Sequence, residues 1–288
     1  MAGKLYLCAT PIGNLEDITL RVVRTLSEVD LIAAEDTRHT IKLLNHLNIK
    51  KPMTSYHEFN KIEKAYVLVD KMLAGTNIAL VTDAGTPGIS DPGEELVRIA
   101  YEAGIEVTSL PGPAACITAL TLSGLPTRRF VFEAFLPADK KERREVLASL
   151  KNETRTMILY EAPHRLLDTL NELAALFGGD RRLTVCRELT KTHETAFRTT
   201  LAESIRYYGE HEPLGECVLV IAGRPVQELA AEAQARWETM PLDEHLSHYL
   251  DAGLSRMDAM KAVAKDRGTT KREIYRLLEE EHTRTDEE

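Results

Sequence analysis

The sequence predicts an α/β protein that has two α/β domains and a small helical domain at its C-terminal end. The first observation is that short apolar runs rich in Val, Ile and Leu alternate with segments of helical period from residue 4 to residue 222. The second is that this pattern breaks at Gly124-Leu125-Pro126 and then restarts. The third is that only helix-like patterns follow Pro241. Such alternation is typical of α/β domains, and 288 residues suffice for more than one core.

The first predicted domain, residues 1–124, alternates four strands with helices. The strands lie near Lys4–Ala9, Val29–Ala34, Asn77–Thr82 and Ile105–Ser109. The helices lie near Ile18–Glu28, Thr37–Leu47, Phe59–Ala74 and Pro92–Ala103, and a further helix rich in Ala, Ile and Leu follows Pro113. Gly104 stands where a helix-ending glycine belongs, and Pro92 stands where a first helical turn tolerates proline. The alternation predicts a largely parallel sheet.

The second predicted domain covers residues 125–225. Its strands lie near Phe130–Ala134, Arg155–Tyr160, Leu183–Glu188, Thr195–Thr200 and Glu216–Ala222, and its helices near Lys140–Leu150, Pro163–Phe177 and Ala202–Tyr208. Apolar and polar residues alternate near Thr195, which predicts antiparallel members in this sheet. Residues 226–241, rich in Ala and Glu, are predicted to form a linker, and their composition also allows a helix. Residues 242–288 are predicted to form a small helix-turn-helix-like domain, with Asp286-Glu287-Glu288 disordered.

Composition and charge restrict the class of protein. The chain is 43% hydrophobic and 28% charged, as in ordinary soluble proteins. Leu5–Ala9 is too short for a signal peptide, and the uncharged stretch at residues 107–127 is interrupted by Pro and Gly, so neither secretion nor a membrane span is expected. A net charge of −9 argues against indiscriminate nucleic-acid binding but allows a local basic surface. We therefore expect a cytoplasmic protein.

The cysteines and histidines do not predict a metal site. Cys8, Cys116, Cys186 and Cys217 lie far apart without a C-x-x-C pair. They are therefore interpreted as buried thiols in a reducing compartment, with no disulfide. His245 and His248 are spaced to share a helix face, but no third ligand is near, so we expect them to be solvated.

Rigid loops at strand ends are the main functional signal. Between Ala79 and Gly93, an apolar strand runs into a loop in which glycines and prolines alternate with polar residues. Glycines allow close backbone approach to a ligand, and prolines stiffen the loop. Pro111–Pro113 and Thr10–Leu15 repeat this plan. The chain contains neither a Walker phosphate-binding loop nor a G-x-G-x-x-G fingerprint, so the loops predict a different ligand-binding crevice.

Polar clusters also follow predicted strands in both domains. They are Glu35–Arg38, Tyr160–Arg165 and Arg187–Lys191. They converge on one cleft if the two domains face each other, because open α/β sheets bind ligands at strand ends. Asp36 or Thr37 can alternatively serve only as a helix N-cap.

Seven motifs together resemble the tetrapyrrole methylase superfamily. They are Thr10–Asn14, Ala34–Arg38, Asp83–Gly93, Pro111–Pro113, Tyr160–Arg165, Arg187–Glu194 and Glu216–Gly223. Within the superfamily, the patterns AEDTR, DAGTPGISDPG, LPGP, YE-x-x-HR and RELTK-x-x-E, with FLP ahead of a basic helix, are similar to bacterial enzymes that methylate ribosomal RNA. The resemblance covers residues 4–225, and the helical tail is similar too.

The resemblance implies two α/β domains with S-adenosylmethionine in the cleft between them, and a homodimer. It further implies methylation of the ribose 2′-hydroxyl of a cytidine in the decoding centre of 16S rRNA, within the small ribosomal subunit. The cofactor contacts that it implies are Pro11, Gly85, Thr86, Pro87, Ile89, Ser90, Pro113, Ala114, Ala115, Tyr160, Glu216 and Cys217. Thr86 stands where many members that act on tetrapyrroles have Asp, which argues against a porphyrinoid substrate.

Two further sets of residues are candidates for catalysis and RNA binding. The 2′-hydroxyl gains from a base or a neighbouring cation, and Glu188 and Lys191 are favoured over Glu161 and His164. A Glu–Lys pair is alternatively a structural ion pair. The candidate phosphate contacts are Lys140, Lys141, Arg143 and Arg144, helped by Arg38 and Arg165 and by Arg128 and Arg129. The alternative for the basic helix is a merely solvated face.

Two competing functions remain open at this point. A tetrapyrrole C-methylase needs neither the basic helix nor the basic tail, because its substrate is a small acidic macrocycle. A non-catalytic nucleic-acid-binding regulator would use the helix-turn-helix-like tail, but it does not need the strand-end loops.

Overall fold

The computed structural model describes residues 1–285 and divides the chain into two compact units, Met1–Ala222 and a second that begins at Gly223. Asp286-Glu287-Glu288, predicted to be disordered, lie outside the described residues. The first unit contains two five-stranded sheets. This confirms the predicted α/β class with two sheets flanked by helices.

The first sheet is parallel throughout, as predicted, in the order β3-β2-β4-β1-β5. Its strands are β1 Lys4–Cys8, β2 Leu31–Ala34, β3 Met53–Ser55, β4 Ile78–Val81 and β5 Glu106–Leu110. Strand β3 was not predicted, because three residues are too few to show a strand pattern. The helices of this part of the chain are α1 Leu20–Glu28, α2 Thr37–His46, α3 Lys61–Leu73, α4 Gly93–Glu102 and α5 Ala115–Ser123.

Helices cover both faces of this sheet because alternate residues of each strand point to opposite faces. On one face, Leu5 and Leu7 of β1 pack with buried residues of α3 and α4. On the other, Cys8 joins Val22 and Leu26 of α1. This two-sided burial explains why the strands read as continuous apolar runs.

The second sheet is mixed, in the order β6-β7-β10-β8-β9. Its strands are β6 Phe130–Phe135, β7 Thr156–Glu161, β8 Arg182–Arg187, β9 Thr195–Thr200 and β10 Cys217–Ile221. Only the β6–β7 pairing is parallel, which confirms the predicted antiparallel members. The helices are α6 Lys140–Leu150, α7 Leu166–Phe177 and α8 Leu201–Glu210. A 3₁₀ turn at Pro163–Arg165 precedes α7, where one longer helix was expected.

Helix α5 packs against the second sheet rather than the first. Cys116, Ala119 and Leu120 of α5 share a buried cluster with Val218 and Val220 of β10. The other face of β10 is covered by α6, α7 and α8. The boundary expected after residue 124 therefore does not coincide with the packing, because α5 completes the core of the second sheet.

The second unit contains only helices within its described part. They are α9 Val226–Thr239, α10 Leu242–Asp251, α11 Arg256–Asp266 and α12 Lys271–Thr285. Helix α9 occupies the predicted linker and packs against α11. The other three correspond to the predicted helical tail, and their apolar side chains form one cluster.

The expectation that both tail histidines are solvated is wrong for His245. His245 is fully buried, whereas His248 is exposed. Its Nδ1 accepts a hydrogen bond from Arg267 Nε, its Nε2 lies 3.3 Å from Asp266 Oδ2, and its ring stacks on Trp237. His245 shares its helix face with Leu242 and Leu246, which places it in the core of this unit.

Two further expectations concern membranes and thiols. Between Met1 and Thr285, no helix combines the length and the apolar character needed to cross a membrane. The four cysteines are buried and free, as expected. Burial raises the pKa of Cys186 and of Cys217 to about 11, which keeps both thiols protonated at neutral pH.

Candidate functional site

A cavity of about 420 Å³ lies between the two sheets of the first unit, where their strand-end segments meet. The first sheet contributes Glu35, the segments 82–86 and 89–91, and Ile12 from the first loop. Ala114 and Ala115 at the start of α5 continue this wall. The facing wall comes from Phe135, residues 160–163, Leu189 and residues 216–218. The predicted convergence of strand-end clusters from both sheets is therefore confirmed, and the cavity volume suits a ligand of small-molecule size.

The loop at residues 82–93 is held rigid by hydrogen bonds. Gly85 and Thr10 exchange two backbone hydrogen bonds, which tie this loop to the loop at residues 10–15. Gly85 has φ +87°, a conformation that favours glycine. The carboxylate of Asp91 accepts backbone N–H groups from Gly88, Ile89 and Gly93. Burial raises the pKa of Asp91 despite these bonds.

The loop at residues 82–93 is also joined to the loop at residues 111–113. The Thr86 hydroxyl donates to the carbonyl of Pro113 over 2.9 Å. The cavity wall on this side is therefore assembled from three loops. The loop at residues 82–93 is hydrogen-bonded to the other two, which makes the site preorganised.

Nine of the twelve expected cofactor residues line the cavity. They are Gly85, Thr86, Ile89, Ser90, Ala114, Ala115, Tyr160, Glu216 and Cys217. Pro11, Pro87 and Pro113 do not line it; these prolines belong to the loops that form its walls. The cofactor roles of all twelve stay predictions.

Tyr160 forms an aromatic part of the wall. Its ring contacts Phe132 and Phe135 edge-on, at centroid distances of 5.0 and 5.5 Å. Its hydroxyl oxygen accepts the backbone N–H of Cys116 in the first turn of α5. Burial raises the pKa of Tyr160, so the phenol is neutral. Tyr160 thus joins the second sheet to the helix whose N-terminus borders the cavity.

Glu35 and Asp83 place two carboxylates side by side in the wall of the first sheet. They follow β2 and β4, which are neighbouring parallel strands. Glu35 Oε2 accepts the Thr82 hydroxyl over 2.6 Å and the Asp83 N–H over 3.2 Å. Burial raises the pKa of Asp83, and the charge of Glu35 raises it further. Sequence reasoning named neither as a site residue, because their proximity depends on the strand order.

The expected RNA contact of Arg143 is wrong. The side chain of Arg143 is only 9% exposed, with Nε 2.6 Å from Glu172 Oε2. Its Nη2 donates to the Thr169 hydroxyl and lies 3.9 Å from Glu161 Oε2. Arg143 therefore stabilises the packing of α6 on α7 and cannot reach a phosphate at the surface.

The other expected RNA contacts differ in their exposure. Lys140, Lys141 and Arg144 are exposed on α6. The Arg38 side chain is 89% exposed and paired with Asp36, which is also the N-cap of α2. Arg165 is only partly exposed, with Nε 3.8 Å from Glu161 Oε1.

The expected catalytic pair forms an ion pair beside the cavity. Lys191 Nζ lies 3.0 Å from Glu188 Oε1 and 3.4 Å from Glu216 Oε2. The hydrogen bond between Lys191 and Glu188 raises the pKa of the lysine and lowers that of the glutamate, so both are charged. Of this loop, Leu189 lines the cavity but Glu188 and Lys191 do not. Their catalytic role stays a prediction.

The family is decided by a match over most of the chain. Residues 4–204 match the model of the Tetrapyrrole (Corrin/Porphyrin) Methylases. The chain belongs to the tetrapyrrole methylase family. The cavity between the two sheets is thus the candidate active site of a tetrapyrrole methylase family member.

Close relatives within this family match almost end to end. Each bears the name Ribosomal RNA small subunit methyltransferase I. The protein of Halalkalibacterium halodurans is 48% identical over 97% of this chain and 96% of its own length. That of Synechocystis sp. is 51% identical over 96% of this chain and 97% of its own, and that of Escherichia coli O157:H7 is 46% identical over 97% and 96%.

Two solved structures share the fold at low identity. A uroporphyrin-III C-methyltransferase from Thermus thermophilus, complexed with S-adenosyl homocysteine, aligns with a TM-score of 0.54 at 19% identity over 76% of this chain and 97% of that one. Diphthine synthase aligns with a TM-score of 0.59 at 14% identity over 76% and 90%. At these identities the likeness shows the fold alone.

Among the side chains that the structure describes, no group of three or more His, Cys, Asp or Glu residues is arranged to hold a metal ion. The expectation that the protein uses no metal stays a prediction.

Proposed function

We propose that this protein transfers a methyl group from S-adenosylmethionine to the ribose 2′-hydroxyl of a cytidine in the decoding centre of 16S rRNA. The observation that carries the proposal is the 46–51% identity, over nearly the whole chain, to relatives named for methylation of small-subunit ribosomal RNA. We propose that the reaction takes place in the cavity between the two sheets.

The residues of the cavity fit the proposed cofactor. S-adenosylmethionine supplies a methyl group on a positively charged sulfur. The backbone of Gly85 and Thr86 approaches from one side, and Tyr160 and Cys217 lie on the other. The wall is rich in carboxylates, which suits a cationic ligand. The rigid loops align the reacting groups and exclude water, which is the main requirement of an in-line methyl transfer.

RNA binding is proposed for the exposed cations. Lys140, Lys141 and Arg144 lie together on α6, and Arg38 lies at the start of α2, beside Asp83 of the cavity wall. Phosphate contacts of this kind position the substrate and carry no sequence information. The target nucleotide is therefore selected by the fit of its ribose into the cavity and by the surrounding subunit.

The pair Glu188 and Lys191 is proposed to orient the ribose. Both groups are charged, so Lys191 cannot act as a base at neutral pH and offers a cation instead. Gly13 of the first loop packs tightly on this pair's loop, since a Cβ built there would lie 2.5 Å from Lys191 Cγ. The pair therefore fixes the segment that carries Leu189 into the cavity.

The protein is further proposed to act as a homodimer in the cytoplasm, without a metal. Helix α3 and the residues flanking it expose large apolar side chains, among them Phe59 at 98%, Tyr66 at 56% and Leu73 at 52%. Contiguous exposed apolar surface is typical of interaction sites, and a second copy is the proposed occupant. Sedimentation equilibrium of the purified chain tests the dimer, and Phe59→Ser with Tyr66→Ser is expected to dissociate it.

The decisive experiment is a mass-spectrometric map of ribose methylation in 16S rRNA from a strain that lacks this protein. We expect one cytidine in the decoding centre to lose its 2′-O-methyl group, and the gene for the wild-type chain to restore it. An unchanged map would reject the proposed reaction.

A further inference from the structure

Five carboxylates line the cavity, namely Glu35, Asp83, Asp91, Glu161 and Glu216. Glu216 is exposed, and the other four are at least partly buried. Both oxygens of Asp91 and of Glu161 already accept hydrogen bonds from the protein. Within the described part of the chain, Glu35 and Asp83 are the partly buried cavity carboxylates that keep an oxygen without such a bond.

Asp83 is held in place by groups that leave one of its oxygens available. Its Oδ1 accepts the backbone N–H of Asp36 over 3.1 Å, and its own N–H donates to Glu35 Oε2. Its Oδ2 accepts no hydrogen bond from the residues that the structure describes. A carboxylate anchored by one oxygen and open at the other has the arrangement that a positioned proton acceptor needs.

The charges around Asp83 favour proton uptake. Burial disfavours its ionised form, and the neighbouring carboxylates of Glu35 and Asp36 act in the same direction. The N–H of Asp36 and the ring of His39 act in the opposite direction. Arg38, whose side chain is 89% exposed, also interacts electrostatically with Asp83. The net result is a pKa above that of an ordinary aspartate.

We infer that Asp83 is the general base of the proposed methyl transfer, and that Glu35 is its positioning residue. The inference rests on the proposed function. The 2′-oxygen forms its bond to the methyl carbon while the carbon–sulfur bond breaks and its electron pair stays on sulfur. The hydroxyl proton passes to Asp83 Oδ2, and the protonated Asp83 afterwards releases it to solvent.

The exposed neighbour of Asp83 supports this assignment. Arg38 is 89% exposed and interacts electrostatically with Asp83, so a phosphate that flanks the target ribose would meet a cation beside this carboxylate. A phosphate bound there places its ribose hydroxyl within reach of the adjacent cavity wall. Neither Glu188 nor Lys191 lines the cavity, and Lys191 is held protonated by its partner.

The test compares the full-length wild-type chain with Asp83→Asn, which keeps size and hydrogen bonding but removes the base. The substrate is small ribosomal subunits from the strain that lacks the protein. We expect single-turnover methylation to fall about 10²–10⁴-fold, the range of a positioned proton transfer. Calorimetry is expected to show S-adenosyl homocysteine binding within about threefold of wild type, since a base contributes little to cofactor affinity.

A matched control is Asp180→Asn, at an exposed position ahead of β8. It removes the same charge from the chain without touching the cavity, and its rate is expected to match wild type. A normal single-turnover rate for Asp83→Asn would overturn the inference. So would a loss of cofactor binding in that variant, because Asp83 would then be a cofactor contact.

The pH–rate profile of Glu35→Gln distinguishes a positioning role of Glu35 from a merely structural one, because a merely structural role would leave the profile unchanged. Without the Glu35 charge the pKa of Asp83 falls, so the acid limb of the pH–rate profile is expected to move to lower pH. His39→Gln measured alongside identifies any contribution from that ring. An unmoved acid limb in Glu35→Gln would contradict the roles assigned to this pair.

Failure of the inference and failure of the proposed function give different results. If the wild-type chain leaves the 2′-hydroxyls of the subunit unmethylated, the proposed function is wrong and the base assignment falls with it. If the wild type methylates and Asp83→Asn methylates equally well, only the base assignment is wrong.

Discussion

Arg143 Nη2 lies 3.9 Å from Glu161 Oε2, and the two side chains are only 9% and 2% exposed. Thr169 bridges them, since its hydroxyl accepts from Arg143 and donates to Glu161. This buried chain runs from α6 through α7 to the residue that ends β7 and lines the cavity. A residue in the centre of the basic helix is therefore part of the support of the candidate active site.

The first prediction follows from this contact. Replacing Arg143 by Ala removes one of the two guanidinium groups beside the buried Glu161, together with the bonds of Arg143 to Thr169 and Glu172. We expect a loss of about 3 kcal/mol in the free energy of unfolding. Urea denaturation measures the loss. Arg144→Ala, one residue away and exposed, is the control and is expected to stay within about 0.5 kcal/mol of wild type. Equal stability of the two variants would contradict the structural role of Arg143.

The second prediction concerns the exposed cations of α6. Neutralising Lys140, Lys141 and Arg144 together is expected to weaken binding to the small ribosomal subunit without changing stability. Each lost phosphate contact lowers the slope of log affinity against log salt by roughly 0.7–0.9. Binding titrations at several salt concentrations measure this slope. A slope equal to that of wild type would leave this face of α6 merely solvated.

The third prediction uses two glycines with similar backbone conformations. Gly85 has φ +87° and lies in the cavity wall, whereas Gly104 has φ +73° and faces open space. Leucine at either position strains the backbone by about 1–2 kcal/mol. Only Gly85→Leu is expected to abolish S-adenosylmethionine binding in calorimetry, because its side chain enters the ligand space. Undiminished affinity in Gly85→Leu would show that the cofactor does not bind at this loop.

The burial of Arg143 could have been predicted from the sequence. Arg143, Leu147 and Leu150 are four and three residues apart and so lie on one face of α6, the face that the structure buries. The charge of the cluster KKERRE alone indicates one basic surface. Position on the helix decides which of its cations reach solvent, and for Arg143 the helical period indicates the inward face.

Other features depend on contacts between distant segments. The strands were predictable because continuous apolar runs are needed where both faces of a sheet are covered. The association of α5 with the second sheet was not, because α5 is apolar all round and shows no preferred face. The pairing of Glu35 with Asp83 requires β2 to lie beside β4, and their separation in sequence contains no sign of that order.

The fourth prediction tests whether Lys191 acts as a positioning cation and not as a base. Lys191→Met removes the cation that the ion pair holds beside the cavity, and we expect single-turnover methylation to fall about 10²-fold through lost alignment. Because Lys191 does not exchange the proton in this scheme, the acid limb of the pH–rate profile is expected to stay in place. Glu188→Gln, which keeps the backbone contacts with Glu216, serves as the comparison. Wild-type rates in both variants would make the pair purely structural.

The last prediction concerns the pH dependence of the second unit. Burial lowers the pKa of His245, and the hydrogen bond that its Nδ1 accepts from Arg267 keeps that nitrogen unprotonated. The unfolded chain, with the ordinary pKa of 6.5, therefore binds a proton more readily than the folded one. Stability is fully present above pH 6.5 and is lost as the pH falls below it, by at most about 1.4 kcal/mol per pH unit.

Hydrogen exchange of the full-length chain checks this, with amide rates corrected for their intrinsic pH dependence. We expect protection in α10 and α11 to weaken below pH 6.5 in the wild type. In His245→Gln the pH dependence is expected to disappear, because no titratable group remains at that position. His248→Gln is the matched control, since His248 lies on the same helix but is exposed. Only a group whose pKa differs between the folded and unfolded states couples stability to pH. A pH response that is retained in His245→Gln and lost in His248→Gln would therefore contradict the prediction and assign the effect to His248.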